Sequence, residues 1–159
     1  MQARLNWTND GAAVKAILAL GGYVNNSGLE RSLLDLVLIR ASQINHCAYC
    51  LDMHTVDARV SGETEQRIYA ISAWEEAPFF SERERAALAW TEAVTVLTEG
   101  FVPDTLYERA RSYFSESELI SLTVAVATIN TWNRMNVSFR IPAGTYKSTR
   151  QPAAVAEAS

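Results

Sequence analysis

The sequence is poor in cysteine, in histidine and in unbroken apolar stretches. Two cysteines in 159 residues are too few for a disulfide-stapled secreted scaffold. Lysine and arginine number 14 against 18 aspartates and glutamates, a formal charge of −4. That balance leaves no basic face to neutralise phosphates, which excludes nucleic acid as the main partner. No basic amphipathic segment marks a membrane surface. The longest apolar stretch, Leu119 to Ile129, is interrupted by Ser121, Thr123 and Thr128 and is too short to span a bilayer. Met1 to Thr8 holds no apolar run ahead of a small-residue cleavage site, so no signal peptide is expected. The expectation is a soluble, cytoplasmic protein.

What the chain does have is enough apolar material for one packed domain: 48% hydrophobic and 20% charged residues, a globular composition. Helical signals run through it. Asp10 caps a first helix that the pattern ends at Gly21-Gly22, and Asn25 to Gly28 reads as a loop. Leu29 to Ile44 carries a wide apolar stripe at three- and four-residue spacing. Asn45 is positioned to cap a helix opening at His46 or Cys47 and stopping before Gly62, and Thr64 to Trp74 makes a short helix. Ser81-x-x-Glu84 and Ser115-x-x-Glu118 are capping boxes. The first opens a helix stopping at Gly100; the second opens the last long helix, toward Phe139. Pro103-Asp104 starts one between them. The fold class is therefore all-α, a bundle of about seven helices over residues 1–142. Residues 143–159, rich in Pro, Ala, Ser and Thr, read as a loose tail or an arm crossing to a neighbouring subunit.

The chemistry-bearing stretch is Cys47-Ala48-Tyr49-Cys50-Leu51-Asp52-Met53-His54. On one helix, Cys47, Cys50 and His54 stand at i, i+3 and i+7 and share a face. Cys50 and His54 then come within reach of a thiol–imidazole hydrogen bond. Cys47 falls in the first turn, where free N–H groups and the helix dipole favour a thiolate. Three readings follow. Small buried cysteines and a core histidine could simply fill a helix interface. Cys-x-x-Cys plus histidine could hold zinc, but a closed site needs a fourth ligand and no second Cys-x-x-Cys exists. A redox dithiol is the reading the spacing favours, although no strand is readable before Cys47, which argues against a thioredoxin fold.

The run Arg40 to Asn45 followed by Cys47 to His54 resembles the alkylhydroperoxidase AhpD family of the carboxymuconolactone decarboxylase superfamily. Matches continue through Gly62 to Arg67, Ser72-Ala73-Trp74, Pro78 to Phe80, Glu82 to Glu92 and Ala127 to Arg134, so the resemblance covers nearly the whole domain. It implies an all-α homotrimer or homohexamer that reduces hydrogen peroxide or organic hydroperoxides, with no bound cofactor or metal. An external dithiol of lipoyl or thioredoxin type would restore it. The resemblance makes Cys50 the attacking sulfur and Cys47 the resolving one, with His54 in the proton relay. Asp35 stands where the family has a glutamate, one methylene longer. From the helix before the motif, Asp35 would have to reach Cys47 through a bend near Asn45. Tyr49 replaces a second histidine, and His46 replaces a common glycine. The chemistry is coherent. O–O cleavage needs a thiolate and a proton for the leaving oxygen, and a nearby thiol captures the sulfenic acid before it oxidises further. Two other functions remain open: a non-catalytic redox switch, and a decarboxylase of the same superfamily, which would have no use for the dithiol.

Elsewhere, Trp74, Trp90 and Trp132 read as core or interface, and Arg83-Glu84-Arg85 as a solvated, self-paired helix face. Asn130, Asn133 and Arg134 sit on a mostly apolar helix and need polar partners. They are expected to line a pocket or bridge subunits.

Overall fold

The computed structural model describes residues 2–152. Among these residues there are seven α-helices, three 3₁₀ turns and no strands. The helices are α1 (Gly11–Asn25), α2 (Arg31–Ile44), α3 (Ala48–Val60), α4 (Glu65–Ala70), α5 (Glu82–Thr95), α6 (Asp104–Tyr113) and α7 (Glu116–Phe139). None of them is long and apolar enough to cross a membrane.

Helix α2 is the axis of the bundle because its apolar stripe is wide enough to face three ways. Leu33, Leu34 and Val37 pack with Ala86, Ala87 and Trp90 of α5 and with Leu122, Ala125 and Val126 of α7. On another side Leu36 and Ile39 meet Ala58, Ile71, Trp74 and Leu88. At its C-terminal end Ala41 joins Cys47, Cys50 and Ile129. Each fully buried Leu, Ile or Val removes enough apolar surface from water to stabilise the fold by about 1.5–3 kcal/mol. The two sulfurs therefore lie inside the hydrophobic core, at the junction of α2, α3 and α7.

Both capping boxes form as the sequence requires. Ser81 accepts from the Glu84 N–H while Glu84 accepts from the Ser81 N–H, and Ser115 with Glu118 repeats the arrangement. Several boundaries differ from expectation, among them the helix expected over Thr64 to Trp74, which is α-helical over Glu65–Ala70 and continues as a 3₁₀ turn, Ile71–Ala73. Helix α1 runs through Gly21 and Gly22 to Asn25, because the next turn carries buried Val24 and a Tyr23 hydroxyl in contact with the Ser121 hydroxyl (3.2 Å). Packing there outweighs the roughly 1 kcal/mol that each helical glycine costs. Helix α5 stops at Thr95, and the chain reaches Gly100 through a 3₁₀ turn, Leu97–Glu99.

One expected pair within the helix forms, Arg85 with Glu82 (3.6 Å), but the Arg83-Glu84-Arg85 segment is not a solvated face. Arg83 pairs with Glu30 (3.0 Å) and Glu118 (2.7 Å), donates to the Tyr113 carbonyl and lies 4.2 Å over the Phe114 ring. Arg85 donates to the carbonyls of Trp74, Glu75, Ala77 and Phe80. Glu84 pairs with Arg67 (2.6 Å). These side chains pin the α4–α5 loop and the ends of α6 and α7 to α5.

After Phe139, Arg140 adopts a left-handed conformation (φ 56°) and ends α7. Residues 143–150 are not helical and lie along α3 of the same chain. The Gly144 N–H donates to Asp52 (2.8 Å), and the Tyr146 and Ser148 hydroxyls donate to Asp57 (3.0 and 2.5 Å). Arg150 donates to Asp35 through both terminal nitrogens (2.7 and 2.9 Å). The remainder of the expected tail, 153–159, lies outside the described residues.

Candidate active site

The site is built where α2 gives way to α3. Asn45 closes α2 rather than capping α3: its N–H returns to Ala41, and its side-chain amide donates to the Ala41 carbonyl (2.9 Å). His46 then turns through the left-handed region (φ 53°), which reverses the chain, and Cys47 becomes the N-cap of α3. The Cys47 sulfur accepts the Cys50 N–H (3.3 Å), so it takes up one of the free donors of the first turn. The same turn brings the two sulfurs together, and Cys47 and Cys50 are joined in a disulfide. Both residues are buried, at 1% and 0% exposure.

A cleft of about 380 Å³ reaches this pair. His46, Cys47, Tyr49, Asn136, Arg140 and Ile141 are among its lining residues. Cys47 lines it; Cys50 sits behind. On the inner side, the Asn136 side-chain amide donates to the Cys50 sulfur (3.4 Å), and its oxygen accepts the Trp7 indole N–H (3.0 Å). Trp7 is itself buried and lies 5.3 Å, centroid to centroid, from the Trp132 ring.

His54 follows one turn after Cys50 and is buried at 7% exposure. The expected thiol–imidazole hydrogen bond is not made: neither ring nitrogen has a hydrogen-bond partner. In the disulfide the Cys50 sulfur is bonded to Cys47 and receives its hydrogen bond from Asn136. Burial pushes the imidazole pKa down from 6.5 to about 4. Asp57 pulls it back up and the Arg150 and Arg31 charges push it further down, so His54 is neutral at pH 7.

Asp35 is buried on α2, as its place in the apolar stripe requires, and its carboxylate is taken up by Arg150. Arg31 stands at 3.6 Å. No hydrogen bond joins it to either sulfur. Arg150 also contacts Asp57 (3.4 Å) and donates to the Ser61 hydroxyl (2.9 Å). Among the described residues, no three His, Cys, Asp or Glu side chains converge as metal ligands.

Asn130 and Asn133 act within the chain. Their side-chain oxygens accept from the Asn45 amide (both 3.0 Å), while Asn133 donates to the Ser42 hydroxyl (3.1 Å) and Asn130 to the Thr95 hydroxyl (3.1 Å). Arg134 donates to the Asn130 oxygen (2.7 Å). This ladder fixes the α2–α3 junction against α7. Asn136, three residues on, continues the same spacing and is the site residue that sequence reasoning passed over. Asparagines at 130, 133 and 136 on one face of an apolar helix were the available signal.

The fold and the disulfide at the head of α3 define a helical, dithiol-bearing protein. Residues 11–93 match the model of the carboxymuconolactone decarboxylase family, and the chain belongs to that family, as one of its AhpD-like members. It is 42% identical over 125 residues to the uncharacterized protein YdfG of Bacillus subtilis (strain 168), covering 79% of this chain and 85% of that one. A crystal structure of an Agrobacterium tumefaciens protein of unknown function, described as a putative antioxidant defence protein AhpD, superposes with a TM-score of 0.88. Its identity is 43%, and the match covers 91% of this chain and 100% of that one. The debrominase Bmp8, in complex with 2,3,4-tribromopyrrole, shares the fold at 18% identity and a TM-score of 0.78, over 87% of this chain and 74% of its own.

Proposed function

We propose that this protein is a thiol peroxidase that reduces hydrogen peroxide or organic hydroperoxides with Cys47 and Cys50. The observation that carries the reading is the Cys47–Cys50 pair at the N-terminus of α3, joined as a disulfide and reached by a cleft at Cys47. The putative antioxidant description of the Agrobacterium relative points the same way.

In the reaction, the Cys50 thiolate attacks the outer peroxide oxygen and the O–O bond breaks. The departing alkoxide or hydroxide takes a proton and leaves as alcohol or water. Cys50 is left as a sulfenic acid. The Cys47 sulfur displaces its hydroxyl as water and the disulfide forms. An external dithiol, of lipoyl or thioredoxin type, returns the pair to the reduced state. No bound cofactor takes part. The place of His54 one turn after Cys50 supports a relay role; with its imidazole pKa pushed down to about 4, it would pass a proton on rather than hold one. Asp35 is committed to Arg150 in the disulfide form, so a relay through it requires the Arg150 side chain to release the carboxylate. Assembly as a homotrimer or homohexamer rests on the family likeness; exposed Leu18, Tyr23 and Ile120 on α1 and α7 offer apolar surface for it.

A second reading is favoured by one observation, the near-complete burial of both sulfurs: a disulfide that switches conformation without turnover. Hydroperoxide consumption in the presence of dithiothreitol separates the two. The peroxidase consumes substrate catalytically and loses turnover in Cys50→Ser and in Cys47→Ser. A switch takes its disulfide from another oxidant, such as a small-molecule disulfide, and consumes no more peroxide than dithiothreitol alone.

A further inference from the structure

A buried cysteine resists ionisation, because burial disfavours the charged form. Cys50 is fully buried, and its neighbour His54 is held neutral by its own burial, so no imidazolium is present to attract a thiolate. Helix α3 offers the Cys47 sulfur a backbone donor, the Cys50 N–H. The Cys50 sulfur has a different donor, the side-chain amide of Asn136 at 3.4 Å.

The orientation of that amide is determined rather than free. An indole N–H can only donate. Trp7 donates to Asn136 at 3.0 Å, so the amide oxygen faces Trp7 and the amide nitrogen faces the sulfur. Trp7 is fixed in turn. It is 4% exposed, lies against Trp132, and sits in a 3₁₀ turn capped by Asn6. Just before it, Arg4 donates from its backbone to the Phe139 carbonyl (2.9 Å) and from its side chain to the Ser138 carbonyl (3.2 Å). The N-terminal segment thus grips the last turns of α7 and aims one buried N–H at one sulfur.

A disulfide sulfur is a weak acceptor, whereas a thiolate accepts a charge-assisted hydrogen bond about twice as strong as a neutral one. A donor fixed in this place therefore favours the charged form of Cys50. The geometry points to Asn136 as a catalytic residue whose amide N–H stabilises the Cys50 thiolate, and to Trp7 as the positioning residue that keeps it turned to the sulfur. This rests on the dithiol reading above in taking Cys50 as the sulfur that carries the charge. The same contact serves both halves of the cycle. In the forward half it stabilises the attacking thiolate. In reduction, a thiolate of the external dithiol reaches Cys47 from the cleft, bonds to its sulfur and breaks the Cys47–Cys50 bond. The bonding pair passes to Cys50, where the Asn136 N–H meets the new charge. The second thiol of the reductant then loses its proton, displaces Cys47 as a thiolate and leaves as the reductant disulfide.

The test is a pH titration of thiolate ultraviolet absorbance in the Cys47→Ser protein, in which Cys50 is the single cysteine. Adding Asn136→Leu or Asn136→Ala raises the Cys50 midpoint by about one pH unit, the effect of losing one hydrogen bond to a charged group. Trp7→Phe, which leaves the amide in place but frees it to rotate, raises the midpoint by a smaller amount. A purely structural role for Asn136 lowers the melting temperature and leaves the midpoint where it was; an unmoved midpoint in either folded Asn136 variant overturns the proposal. An unmoved midpoint in folded Trp7→Phe overturns the positioning role. Peroxide turnover is not needed for the readout. If the midpoint moves and wild type consumes no peroxide, the peroxidase reading falls and the Asn136 donor stands.

Discussion

Acidification tests the burial of His54 directly. An unfolded chain takes up the imidazole proton near pH 6.5, whereas the folded chain takes it up only near pH 4. Between those values the unfolded state binds more protons, so stability falls as the pH falls through that window. Above about pH 6.5 both states are neutral and the contribution is fully present; below about pH 4 both are protonated and it is gone. A displacement of that size corresponds to about 3 kcal/mol, at roughly 1.36 kcal/mol per unit. That is a large fraction of the 5–15 kcal/mol typical of a domain. The assay is urea unfolding of the disulfide form at neutral pH and at about pH 4, for wild type and His54→Leu. Neither imidazole nitrogen has a partner to lose, so leucine is accepted and the acid-induced loss shrinks by about 3 kcal/mol relative to wild type. Carboxylates contribute to both proteins alike and cancel in the comparison. Parallel pH dependences in the two proteins would refute the reasoning and place the imidazole in contact with solvent.

Arg150→Ala leaves the Asp35 carboxylate at 1% exposure with Arg31 at 3.6 Å as its remaining cation. Breaking this partly buried pair costs about 2 kcal/mol in urea unfolding. Asp35→Asn made in the Arg150→Ala background recovers part of that loss. Ser115→Ala removes the cap of α7, the helix that carries Asn130, Asn133 and Asn136, and lowers stability by about 1 kcal/mol. The Cys50 midpoint stays in place in that variant, because the capping box lies at the other end of α7.

Features decided by neighbouring residues are legible in the sequence. The capping boxes at Ser81 and Ser115, the apolar stripe of α2 and the Cys-x-x-Cys pair all stand in the structure as their spacing requires. What the sequence concealed depends on contacts across the chain. Gly21-Gly22 looks like a stop, and only packing against α7 carries α1 past it. Asn45 looks like a cap for α3, but the left-handed turn at His46 gives that role to the Cys47 sulfur. Arg150 meets Asp35 across 115 residues, and Trp7 meets Asn136 across 129. No periodicity within a single helix encodes such pairs. Arg83 and Arg85 are hidden for the same reason: the Glu82–Arg85 spacing is visible in the sequence, while the carbonyls and the Phe114 ring they reach are not.

Whether Cys47 and Cys50 together reduce a hydroperoxide can be read in a single turnover without an external donor. Fully reduced protein is mixed with one equivalent of hydroperoxide, and remaining peroxide and free thiols are counted after a single turnover. The expected result is that one peroxide disappears as two thiols become the Cys47–Cys50 disulfide. In Cys47→Ser a trapping reagent finds a sulfenic acid on Cys50. Peroxide left intact beside two free thiols in wild type would contradict the peroxidase reading.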